Sequence, residues 1–272
     1  MRVLIVDRDE LSSKMLTTKL LELGCDVVEQ TSKNDALEMI TKDHFDVLMI
    51  DPAPLTSPRP VILNIRRNIK NYPYIFLMGE DISLEEAIKS GTNDILHKPL
   101  DIAALPQKME SAGLLSSLVR QIGDDSEDFP SAGGVIAKSA FNQLFLSALD
   151  RADRYGETSY VIFIAMENFT EIQGMDGAYA AEYALAKLSQ FLVRLRRQSD
   201  IIGQTGKAQY ALLLQRPVYE TEPEEAAARF AEALQGADDI TSSAAGQVNI
   251  SLNLIELPTG RVVKNILVPL EN

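Results

Sequence analysis

Cysteine is nearly absent from this chain of 272 residues, tryptophan is missing, and histidine occurs only twice. The single cysteine, Cys25, can form no bridge within the chain, which suits a reducing compartment. With Cys25, His44 and His97 as the whole supply of thiol and imidazole, a zinc centre is not expected. Long apolar runs are also lacking. No segment approaches the roughly 20 apolar residues of a membrane-spanning helix. Met1-Arg2 leads to a short apolar run that ends at Asp7, too short for the core of a signal peptide. Positive charge is in deficit: 26 Lys and Arg face 39 Asp and Glu, a formal net charge of −13. That balance argues against a nucleic-acid partner, because phosphate contacts need a positive surface. The run Arg194, Arg196, Arg197 is the one short exception. The expectation is a cytoplasmic protein without membrane insertion.

What is present is a globular composition, 46% hydrophobic and 24% charged, with length enough for two ordinary domains. Arg2–Val6, Val27–Val28, Phe45–Ile50, Tyr74–Met78 and Asp94–His97 read as strands. Between them, Leu11, Met15, Leu16, Leu20 and Leu23 have helical spacing, and Ser32 with Asp35 marks a helix start. A helix around Val61–Ile69, another opened by the capping box Ser83-x-x-Glu86, and a last one at about Ala103–Gln121 follow. Five strands alternating with five helices predict a doubly wound five-stranded parallel sheet, an α/β domain over residues 1–122. Gly123–Gly134 is acidic and rich in Gly, Ser and Pro, so residues 123–135 read as a linker. Over 136–272 the order changes. Helices at Ser139–Tyr155, Ala178–Arg196 and Pro223–Leu234 mix with strands at Tyr160–Met166, Asp200–Gln204, Gln209–Leu214, Val248–Leu257 and Val262–Val268. The close pair around Gly206 reads as a hairpin, and the mixture predicts an α+β domain.

In doubly wound sheets chemistry gathers at the carboxyl ends of the strands. Those ends carry Asp7, Asp51, Met78-Gly79 and Lys98-Pro99. With the LIVD start and the DVLMID strand, residues 1–120 resemble the response-regulator receiver domain. The resemblance implies that Asp51 is the phosphoacceptor, that Lys98 contacts the phosphoryl group, and that acids after the first strand hold Mg²⁺. The chemistry needs that set, since a carboxylate nucleophile must attack a dianion neutralised by metal and lysine. The receiver pocket is therefore expected at Asp7, Arg8, Asp9, Asp51 and Lys98. Departures follow. Arg8 stands where the family has a second acid, and it is expected to compete with Mg²⁺ and to pair with Asp51 or Asp7. Met78 replaces the hydroxyl residue that reports the phosphoryl group, Ile95 the switch aromatic, and Ala53-Pro54 the usual Met-Pro. Asp7 and Asp51 then form a weak Mg²⁺ site at most.

Residues 139–257 resemble the GGDEF family of diguanylate cyclases, which join two GTP molecules into cyclic di-GMP. The match rests on register: Arg197-Gln-Ser-Asp200, then Ile201-Ile-Gly-Gln-Thr205, then Gly206-Lys207-Ala208-Gln209-Tyr210, then the apolar Ala211-Leu-Leu-Leu214. Cyclisation in that family uses two metals on carboxylates. Here Ala165 stands at the first metal position with Glu167 two residues on, Ala208 and Gln209 replace the hairpin acids, and Lys207 replaces a glycine. Gln173 and Glu182 stand at the guanine-contacting positions. No catalytic residues and no required cofactor are expected, and the domain reads as degenerate. Arg197 and Asp200 fall in the register of the family's inhibitory site, which binds cyclic di-GMP. A guanidinium can donate to the O6/N7 edge of guanine, and a carboxylate can accept from its N–H groups. A local role is also open, since basic residues complement a helix C-terminus and Asp200 can cap.

The leading expectation is a catalytically inactive bacterial signalling protein of the two-component type, a cyclic di-GMP receptor that acts through protein partners. Two alternatives stand beside it. One is a ligand-independent scaffold whose domains dock and form a homodimer. The other is a phosphorylation-controlled response regulator, served by a histidine kinase, with a silent output domain.

Overall fold

In a computed structural model of the chain, the described residues are 1–270 apart from 56, 70, 132, 238, 239 and 241–246. Residue 132 of the stretch read as a linker thus lies outside them. The chain forms two compact units.

The first unit holds Met1–Arg120 together with Leu149–Glu157 and Pro258–Gly260. Its strands are β1 (Arg2–Val6), β2 (Asp26–Gln30), β3 (Val47–Ile50), β4 (Tyr74–Gly79) and β5 (Asp94–His97). They alternate with α1 (Glu10–Glu22), α2 (Lys33–Lys42), α3 (Arg59–Asn68), α4 (Leu84–Lys89) and α5 (Leu105–Gly123). The sheet runs β2-β1-β3-β4-β5 and every pairing is parallel, as the alternation predicts. Strands covered on both faces need continuous apolar runs, and all four residues of β3 and the first five of β4 are buried. The expected helix starts are present. Ser32 accepts from Asp35 N–H, and Ser83 with Glu86 forms a complete capping box.

The second unit holds Gln121–Ala148, Thr158–Leu257 and Arg261–Asn272. β6 (Ser159–Met166), β7 (Ile201–Gly206), β8 (Gln209–Gln215), β9 (Val248–Leu257) and β10 (Val262–Leu270) form an antiparallel sheet ordered β10-β9-β6-β8-β7. α8 (Ala178–Leu195) and α9 (Glu222–Gln235) bury faces of Ala, Leu and Phe into a core shared with β6, β8 and β9. The helix α6 (Lys138–Tyr155) precedes β6, and the expected β7–β8 hairpin turns through Lys207 and Ala208. One element escaped the sequence reading: α7 (Phe169–Met175). Seven residues are two turns, too few for a periodicity to show.

Candidate functional site

In the first unit, β1 and β3 are sheet neighbours with Val6 beside Ile50, so Asp7 and Asp51 emerge together at one edge. Lys98, just past β5, reaches both acids. Its ammonium pairs with Asp51 Oδ2 and lies 2.8 Å from Asp7 Oδ2, the latter an ion pair off the angle of a good hydrogen bond. Backbone N–H groups take the other carboxylate oxygens: Asp9 donates to Asp7 Oδ1 at 2.9 Å, and Ala53 to Asp51 Oδ1 at 2.7 Å. Burial pulls the Lys98 pKa down, but its close polar contacts with Asp51 and Asp7 together outweigh burial and raise it. Met78 and Ile95 are both buried.

Two expectations for this pocket need correction. Asp9 is turned away into the N-cap of α1, accepting from Leu11 N–H at 3.0 Å and from the Ser12 hydroxyl at 2.6 Å. The Ser12 bond first, and then the Leu11 N–H, hold its carboxyl below its usual pKa. Arg8 is exposed and forms no ion pair with Asp7 or Asp51, because Lys98 already satisfies both acids. The cation missed in the sequence is Lys33, at the first position of α2, whose ammonium donates to the Pro52 and Ala53 carbonyls directly after Asp51. A lysine there opposes the helix dipole, which was the available signal.

In the second unit, the end of β6 lies against the β7–β8 hairpin. Ala165 pairs with Gln209, and Met166 N–H donates to the Ala208 carbonyl at 3.0 Å. The structure thus gathers Ala165, Gly206, Lys207, Ala208 and Gln209 in one place. Glu167 follows β6 and turns to β9, where it accepts from the Ser251 hydroxyl. Lys207 places its ammonium 5.1 Å from the centre of the Phe169 ring. Tyr210 is buried, its phenol pushed up to about 12 by desolvation. It lines a cleft of about 350 Å³ with Glu182, Ser189 and Gln204, whereas Gln173 is not among the lining residues. Among the described residues no cluster of three or more His, Cys, Asp or Glu is placed to hold a metal.

Arg197 and Asp200 line a separate cleft of about 220 Å³ after α8, closed by the β8–α9 connection and by α9. Asp200 is 8% exposed and caps the loop, its Oδ2 accepting from Arg197 N–H at 3.0 Å. This is the local capping contact left open by the sequence, made by a buried carboxylate. Arg197 is half exposed, and its guanidinium is paired with the Glu222 carboxylate. That hydrogen bond, the largest influence on it, raises the Arg197 pKa, and Glu222 is held low by the Val218 N–H and then by Arg197. The lining also carries Arg216 and, from α9, Arg229, whose buried Nε and Nη2 have no hydrogen-bond partner. Neither Glu222 nor Arg229 was singled out in the sequence. An arginine next to the buried Phe230 on an amphipathic helix was the available clue.

The chain belongs to the GGDEF family: residues 131–267 match the family model described as diguanylate cyclase, GGDEF domain. Residues 3–110 match the response regulator receiver domain. No curated protein matches the chain. Among solved structures it is similar to a two-component response regulator from Clostridium difficile, at 22% identity, covering 41% of this chain and 94% of that one, with a TM-score of 0.38. It is likewise similar to the GGDEF domain of PA1120 (YfiN or TpbB) from Pseudomonas aeruginosa, at 22% identity, covering 44% of this chain and 74% of that one, with a TM-score of 0.38. Among the described residues no helix is long and apolar enough to cross a membrane.

Proposed function

We propose that this receiver–GGDEF protein makes no cyclic di-GMP and instead binds it at the Arg197–Asp200–Arg229 cleft, passing occupancy to a protein partner. The observation that carries the reading is Arg229, whose Nε and Nη2 are buried without a hydrogen-bond partner in the same cleft as the Arg197-x-x-Asp200 motif. A buried donor without an acceptor is costly, and an anionic or carbonyl-bearing ligand supplies what is missing. Two guanidiniums suit a phosphate and the O6/N7 edge of guanine. A cleft of about 220 Å³ is below the roughly 300 Å³ of pockets that enclose drug-sized ligands, so the ligand is gripped by one edge.

The loss of synthesis rests on residue chemistry at the hairpin. Ala165 and Ala208 offer no oxygen ligand and Gln209 no charge, while the nearby Glu167 is engaged by Ser251. Two measurements test the reading. Incubation with GTP and Mg²⁺ or Mn²⁺ should yield no cyclic di-GMP above the buffer blank, and product abolished by mutating the hairpin would overturn that half. Cyclic di-GMP at about a hundred times its dissociation constant should stabilise the fold by about 2.7 kcal/mol. An unchanged melting temperature at high ligand would overturn the other half.

A further inference from the structure

A receiver pocket of this family is expected to hold Mg²⁺, and the residues present do not fit the ion. Asp9 is committed to capping α1. Asp7 and Asp51 share the ammonium of Lys98 and spend their other oxygens on backbone N–H groups. The carbonyls of Pro52 and Ala53, the neutral oxygens nearest Asp51 in sequence, both accept from Lys33. A hard divalent cation needs about six oxygens with geometry close to octahedral, and here Asp7 Oδ2, beside the Lys98 ammonium, is the one carboxylate or carbonyl oxygen of the set without a hydrogen bond.

We infer that Lys33 is the resident cation of this pocket, a positioning residue that takes over the charge-neutralising and loop-holding work of a metal. Two carboxylates, Asp7 and Asp51, then face the ammoniums of Lys98 and Lys33, with the exposed Arg8 close by, and their negative charge is neutralised without a divalent ion. Topology makes this possible. β2 lies beside β1, so the start of α2 just beyond β2 falls at the same sheet edge as Asp7. Lys33 gains nothing from its own helix, since a cation in the first turn opposes the helix dipole. Its position is explained by the two carbonyls it meets. Its pKa is lowered, by burial first and by Arg8 next, while Asp51 and Asp7 pull the other way, which places Lys33, Arg8, Asp51 and Asp7 in one electrostatic neighbourhood. The receiver unit is therefore set in one state that neither metal nor phosphoryl transfer needs to complete.

The test separates Lys33 from Arg8, the other cation beside the acids. Calorimetric titration of the full chain with Mg²⁺ should give no binding in the unaltered protein. Arg8→Asp alone should bind weakly. The double variant Arg8→Asp, Lys33→Met should bind at least about tenfold more tightly than Arg8→Asp, the order expected for removing one charge a few ångströms from a divalent ion. Arg8→Asp, Lys33→Arg should stay as weak as Arg8→Asp, since the charge is kept. Equal Mg²⁺ affinity in Arg8→Asp and in the Met double variant would overturn the assignment, and so would Mg²⁺ binding by the unaltered chain. Circular dichroism shows whether the Met variant is folded; should it not be, Lys33→Gln in the same background is held to the same comparison.

Discussion

At the scale of the residue, Glu222 decides how ready the cleft is for a ligand. Its carboxylate occupies the Arg197 guanidinium, as an internal stand-in for the acceptor a ligand would bring. A ligand must displace that pair, so Glu222→Gln should tighten cyclic di-GMP binding by several-fold, up to about tenfold. Equilibrium dialysis checks this, and weaker binding in the Gln variant would assign Glu222 to the ligand contact itself. The same scale shows where sequence reading stops. Arg197 and Asp200 were legible because they are close in sequence and in register with the hairpin, and Asp7, Asp51 and Lys98 because each follows a strand. Lys33, Glu222 and Arg229 were not, because only the packing of α2 and α9 brings them to their sites. In the receiver pocket, small phosphodonors should label Asp51 poorly. Strong Mg²⁺-dependent labelling of the unaltered chain, read by mass spectrometry, would contradict both the Lys33 assignment and the expected competition from Arg8.

Elements carry predictions of their own. Gly203 lies on β7 against the buried Phe141 of α6, and a Cβ there would stand 2.6 Å from the Phe141 Cβ. Gly203→Ala should therefore force the ring or the strand to shift and cost about 1–3 kcal/mol, seen as a lower urea midpoint. The helix caps give a pH dependence of definite sign. The Asp9 carboxyl is held below its usual pKa by Ser12 and Leu11, and that of Glu86 by the Ser83 backbone and hydroxyl. A depressed pKa stabilises the fold above the ordinary carboxylate range, and that contribution is lost as pH falls through the folded values. Asp9→Asn and Glu86→Gln should each flatten the loss of stability on acidification below about pH 4. The central strands β1, β3 and β4 were readable because burial on both faces demands unbroken apolar runs. The short α7 was not, since neither its length nor its composition sets it apart from a loop.

For the molecule as a whole, a net charge of −13 sets the background against which every site works. Self-repulsion should weaken the fold at low ionic strength. Raising salt from about 0.01 to 0.15 M shortens the screening length from about 30 to 8 Å and should raise the melting temperature. The two-domain organisation was legible in the change from alternating strands and helices to hairpin-linked strands. The same charge makes the basic cleft stand out, since an anionic ligand must find Arg197 and Arg229 within an acidic protein. The measurement that bears most directly on the proposed function is calorimetric titration of the full chain with cyclic di-GMP, repeated on Arg197→Ala, Arg229→Ala and Arg194→Ala. Binding at micromolar ligand is expected, weakened about ten- to a hundredfold by either of the first two changes and little by the third, which lies outside the cleft. No binding at micromolar ligand, or equal losses in all three variants, would contradict a specific receptor and leave the protein a scaffold.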